Sequence, residues 1–126
     1  MKQIEITVER TKTGYSAYAA KLPVITTGKS LEELKQNMVE ALNLYYYKSG
    51  KKIDADHIKV LLDLPQFFSF YKVINAKALA ERIGMNQSLL SQYITGTKKP
   101  SSSQTKRILE AVQQVGKELS AVQFLL

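Results

Sequence analysis

The chain contains no cysteine. Disulfides, thiolate catalysis and cysteine-based zinc sites are therefore excluded. Its one histidine, His57, makes a His-rich metal site impossible. No apolar run approaches the roughly 20 residues that a membrane-crossing helix needs. The opening Met1 to Glu5 lacks the apolar core of a signal peptide, so the expected location is cytoplasmic. No internal repeat and no low-complexity tract is visible. Acidic groups are few, 11 against 18 lysines and arginines, which leaves a net charge of +7.

What is there suits a soluble α+β protein. The 126 residues allow one domain or two small ones, and 44% hydrophobic residues can bury a core. The positive charge is uneven. Residues 1–64 carry 10 basic and 8 acidic groups, whereas residues 65–126 carry 8 basic and 3 acidic ones. The second half is the better candidate for binding a polyanion.

In the first half Ile4, Ile6 and Val8 alternate with Glu5, Thr7 and Glu9, the pattern of a half-buried strand. Thr11 to Gly14 reads as a turn, Tyr15 to Ala20 as a second strand in a hairpin with the first, and Val24 to Thr27 as a third. Ser30, Leu31, Glu32 and Glu33 form a capping box that opens a helix. Leu31, Leu34, Met38, Ala41, Leu42 and Tyr45 make its apolar stripe, and Gly50 stops it. Ile58 to Leu62 is a fourth β-rich run. The order β-β-β-α-β gives one sheet with a helix on one face. The adjacent Tyr45, Tyr46 and Tyr47 invite an RNA-stacking reading, but at helical spacing they cannot share a face; one is expected in the core and the others at the edge of the surface, where an interface role is open.

Asp63, Leu64 and Pro65 mark the expected boundary, with domains at 1–64 and 65–126. Beyond it the pattern is helical to about Leu119. Phe67, Phe68, Phe70 and Tyr71 suit a packed short helix. Asn75 caps the next helix, and Ile108, Leu109, Val112 and Val115 mark the last. The apolar stretch Leu119 to Leu126 reads as a strand or as a tail that packs on a partner chain, within a homodimer or larger assembly.

Between these landmarks, Leu79 to Gly96 reads as helix, tight turn, helix. Gly84 supplies the small residue that a sharp turn needs, and Ala80 is small where two helices approach. Leu79, Ile83, Met85, Leu90 and Tyr93 point to a shared core. Asn86 caps the second helix, leaving Gln87, Ser88, Ser91 and Gln92 outside. Gln can bond adenine N6 and N7 together, and Ser can bond a base edge or a phosphate. That is how a helix-turn-helix presents a reading helix to DNA.

Residues 75–119 resemble the Cro/Xre family of helix-turn-helix repressors. The run Gly84 to Ser91 and the loop Gly96 to Ser101 carry the likeness. It implies base reading by Gln87, Ser88 and Gln92, and phosphate contacts from Ser91, Thr97, Lys98 and Lys99. The sequence departs from the family at Ile94, where an acidic residue is common. An exposed Ile94 is expected to pack on the N-terminal domain.

Residues 1–64 resemble the HicB antitoxin family. The likeness rests on Gly14 to Tyr18, Leu22-Pro23, Thr27 to Leu34, Asn37 and Glu40 to Leu42. Val24-Ile25 and Lys29 depart from the family pattern. The resemblance implies a degenerate RNase H-like β-β-β-α-β domain followed by an all-helical helix-turn-helix domain. It implies an antitoxin that masks a small basic mRNA-cleaving toxin and represses its own operon by binding operator DNA. The alternative is a stand-alone regulator whose first domain dimerises or senses a ligand. No cofactor, metal or membrane partner is expected. A nuclease would need carboxylates converging on Mg²⁺. Glu5, Glu9, Glu40, Asp54 and Asp56 show no such set, so no enzyme activity is expected.

Overall fold

A computed structural model describes residues 2–126. The chain divides into two compact units, Met1–Asp63 and Leu64–Leu126. The expected boundary lay one residue later. Leu64 belongs with the second unit because it opens a helix whose second residue is Pro65, where a missing amide costs nothing.

The first unit is a four-stranded mixed sheet with one long helix. Strands β1 (Ile4–Arg10), β2 (Tyr15–Ala19) and β3 (Ile25–Gly28) precede helix α1 (Leu31–Tyr45), and β4 (Ile58–Leu61) follows it. The sheet order is β3-β2-β1-β4. β1 pairs antiparallel with β2, Val8 opposite Ala17, and parallel with β4, Ile4 beside Ile58. A parallel partner needs a long crossover, and α1 with its flanking loops supplies it.

The alternation in β1 does what it implies: Ile6 and Val8 are buried, Glu5 and Glu9 exposed. On α1, Leu34, Met38 and Leu42 are buried at helical spacing. Leu34 and Met38 line a common small interior space with Ile6, Val8 and Ala17. Ser30 caps α1, its Oγ accepting the Glu33 amide at 3.1 Å. Two asparagines then tie the helix to the chain around it. Asn37 donates to the Thr27 carbonyl at 2.8 Å. Asn43 both donates to the Ile53 carbonyl, at 2.9 Å, and accepts the Ile53 amide, at 2.7 Å. Gly28 is required for another reason: a Cβ there would lie 2.9 Å from the Leu34 amide nitrogen, on backbone that cannot yield cheaply.

Tyr45 does not complete the stripe as expected; it is exposed, and Tyr46 is the half-buried member of the trio. The helix ends at Tyr45, so the periodicity fails there. A 3-10 turn, Tyr47–Ser49, takes over and closes on Gly50 in the left-handed conformation.

The second unit is helical: α2 (Leu64–Phe70), α3 (Ala76–Ile83), α4 (Gln87–Thr95) and α5 (Ser102–Ser120). Its core joins Ala80, Met85, Leu90, Tyr93 and Ile108, with Leu64, Ala76, Ile83, Leu89 and Val112 packed around them. Phe68 is buried on α2 and Leu79 on α3, whereas Tyr71 is exposed. Ile94 is not exposed. It packs on this same core, because it sits four residues after Leu90 on the inward edge of α4. The expected packing of Ile94 on the first domain is thereby corrected. The tail is not a strand either: the helix runs to Ser120, and Val122, Phe124, Leu125 and Leu126 are exposed. Among the described residues no helix is long and apolar enough to cross a membrane.

Candidate nucleic-acid interface

Helix α4 is fixed at both ends by its own sequence. The Asn86 side chain accepts the amides of Ser88, at 2.8 Å, and Leu89, at 3.3 Å. These are amides that a first helical turn leaves without partners. At the other end Gly96 adopts φ 79°, a left-handed cap that ordinary residues resist. The Lys98 amide then folds back to the Gln92 carbonyl at 3.1 Å. Thr95 and Thr97 share a hydroxyl hydrogen bond at 2.8 Å. The loop carrying Thr97, Lys98 and Lys99 is thus tied to the end of α4.

Leu90 and Tyr93 anchor one side of α4 in the core. The opposite side presents Gln87, Ser88, Ser91 and Gln92, all exposed. Thr97, Lys98 and Lys99 are exposed as well. All seven sequence-derived site residues therefore lie on one helix and the loop that follows it. The face is uncharged and rich in hydrogen-bonding groups, and the loop beside it is cationic. Chemically, such a face can bond base edges while the two ammonium groups hold phosphates.

The preceding turn is equally specified. Gly84 caps α3 with φ 73°, and its amide and that of Met85 return to α3 carbonyls. A Cβ on Gly84 would meet no neighbour, so the demand for glycine is conformational only.

Two arginines support this arrangement, and both were missed in the sequence. Arg107 of α5 donates to the Ile83 carbonyl at 2.9 Å and to the Gln104 side chain at 2.8 Å. It thereby satisfies an orphan carbonyl at the end of α3. Arg82 makes a two-pronged pair with Glu118, at 2.7 and 2.9 Å, tying α3 to the end of α5. Partners 24 and 36 residues apart leave no local signal.

The Arg82 hydrogen bonds hold the Glu118 carboxyl well below its ordinary range, at about 2; partial burial opposes the shift and the Gln114 amide assists it. Arg82 is correspondingly raised. A carboxyl depressed by folding stabilises the native state above its unfolded pKa, and that gain disappears as pH falls toward the folded one. Both side chains are nearly half exposed, so water and salt screen the pair. Thermal melts should therefore find Glu118→Gln less stable than the parent above pH 5 at low salt. The difference should shrink between pH 4.5 and 2, and in 1 M salt. A pH-independent difference would show that the pair contributes through packing alone.

The carboxylates weighed for metal chemistry lie apart from one another in role. Glu5, Glu9 and Glu40 are exposed. Asp54 caps a 3-10 turn, Ala55–His57, accepting the Asp56 amide at 2.9 Å, while His57 Nδ1 accepts the Asp54 amide at 2.9 Å. The spacing of Asp54 and His57 was a readable capping signal. Among the described residues no three His, Cys, Asp or Glu side chains form a metal-binding group.

No protein-family model matches the chain, and no curated protein matches it.

Proposed function

We propose that the second unit reads DNA as a helix-turn-helix. In this reading α4 enters the major groove, Gln87, Ser88 and Gln92 contact base edges, and Ser91, Thr97, Lys98 and Lys99 contact phosphates. The observation that carries it is the outer face of α4. That face combines four exposed hydrogen-bonding side chains, none charged, with an adjoining lysine-bearing loop tied to the helix end, the combination that base reading with phosphate contacts requires. The charge agrees: residues 65–126 carry 8 basic and 3 acidic groups.

The role of the whole chain, in this proposal, is that of a type II antitoxin. Its first unit masks a small basic mRNA-cleaving toxin, and its second represses the shared operon in the cytoplasm. What supports this half is the HicB-like sequence of residues 1–64 and the strand and helix order that such a domain requires. A two-fold dimer follows from the DNA reading. One reading helix buries too little for tight specific binding, whereas two helices roughly 34 Å apart meet a palindromic operator.

The test uses the intergenic DNA upstream of the gene, in gel-shift and anisotropy titrations. Gln92→Ala should lose about 1–3 kcal/mol on the specific site and relax base preference. Lys98→Ala should weaken all sequences alike and flatten the salt dependence by about one charge. A Gln92→Ala protein with unchanged affinity and preference would remove α4 from the groove. For the antitoxin role, the neighbouring open reading frame should encode a small basic protein that co-purifies with this chain. Its absence would leave a stand-alone regulator.

A further inference from the structure

The first unit carries a positive track that DNA reading by the second unit does not use. Two shallow depressions on this unit meet at Lys51. One is flanked by Lys2, Lys21 and Tyr46. The other is flanked by Tyr47, Lys52 and the Gly50 turn. Four of the 10 basic residues in positions 1–64 line these two depressions.

Glu5 and Asp54 also line these depressions, which leaves four lysines against two carboxylates and a net positive surface. Glu5 stands beside Lys59 in the β1–β4 register. Asp54 is engaged in its capping turn. Lys51 lies over the Tyr46 ring, 4.8 Å from its centre, which holds that ammonium in place. Tyr47 is 80% exposed. Its ring lies in the same lysine-lined depression, on a turn that the Asn43–Ile53 clamp fixes.

A cationic track with a bare aromatic ring suits one kind of ligand. Phosphates spaced along a chain satisfy the lysines, and an unpaired base covers the ring. A duplex hides its base faces, and a single phosphate cannot span two depressions. A small basic protein is repelled from this track, so the toxin of the proposed function would seat on another face of the unit. We propose that this track binds a short single strand of nucleic acid, its phosphates on Lys21, Lys51 and Lys52 and one base stacked on Tyr47. The proposal stands independently of operator reading by α4.

The experiment uses the full chain with labelled rU10 and dT10 in fluorescence anisotropy, in excess random-sequence duplex to occupy the second unit. Both strands should bind, and the tighter one identifies the natural source as RNA or DNA. Tyr47→Ala should weaken binding about tenfold, and Tyr47→Phe should restore it, since stacking needs the ring and not the hydroxyl. Lys51→Ala with Lys52→Ala should flatten the salt slope by about 1.4, from roughly 0.7 per phosphate contact. Operator binding should be unchanged in all three, which separates this site from α4. Binding abolished by the duplex, or indifferent to Tyr47→Ala, would overturn the proposal. Displacement by polyglutamate as effective as by the unlabelled strand would also overturn it, in favour of an acidic polypeptide.

Discussion

Replacing Leu90 with alanine should unfold the second unit and spare the first. Leu90 is 1% exposed and sits in the cluster of Ala80, Met85, Tyr93 and Ile108. Removing a fully buried leucine side chain costs the transfer of its methyl groups and leaves a cavity, together about 2–5 kcal/mol. A unit of about 60 residues has only a few kcal/mol to lose. The surrounding helices are short, α3 with 8 residues and α4 with 9, and cannot persist without tertiary packing. The first unit has its own core, with Ile6, Leu34, Met38 and Leu42 almost fully buried. An amide NMR spectrum of Leu90→Ala should therefore keep dispersed resonances for residues 4–61 and collapse those of residues 76–120. The proposed DNA binding should be lost with it, because α4 no longer holds its face. Collapse of both sets together would mean that the units fold as one cooperative block.

That prediction can be made because the α3–α4 region was largely legible in the sequence. Its signals are local. Asn75, Asn86 and Ser101 each cap a helix through amides two or three residues ahead. Gly84 and Gly96 mark the left-handed positions where helices stop. Leu90 and Tyr93 fall on one helical stripe. The same logic placed β1, because alternation decides which face of a strand is buried.

What was not legible depends on distance along the chain. Arg107 could not be tied to Ile83, nor Arg82 to Glu118, by any short-range spacing. Gly28 carries no local sign of its real constraint, the close approach of the Leu34 backbone. Ile94 was misplaced because the core it joins draws on residues far along the chain, from Leu64 to Val112. Tyr45 was misplaced because a stripe drawn from periodicity does not know where its helix ends. Asn43 gave no sign that it would clamp Ile53 and so fix the turn that carries Tyr47.

Removing residues 120–126 should separate the proposed dimer and weaken specific DNA binding by at least two orders of magnitude. The tail is apolar and uncovered: Phe124 is 80% exposed, and Leu125 and Leu126 are fully so. Leu119 and Leu109 are also exposed on α5. In the proposed dimer these exposed apolar side chains are the surface that the partner covers. In a two-fold assembly the tails pack on each other or on the partner's α5, an isologous contact that closes on itself. Joining two reading units makes the second half-site contact intramolecular, and that effect is worth about 10²–10⁴ in affinity. Loss of the joint therefore costs far more DNA binding than loss of any one side chain on α4. Sedimentation should show the truncated chain as a monomer, with the amide spectra of both units unchanged. Its operator affinity should approach that of a single half-site and lose its dependence on half-site spacing. A truncated chain that remains dimeric and binds normally would move the dimer contact away from the tail. The row Ile25, Tyr18, Thr7 and Leu61 across the sheet, exposed at its two ends and half-buried between them, would then be the next surface to alter, since these residues stand in register on the face away from α1.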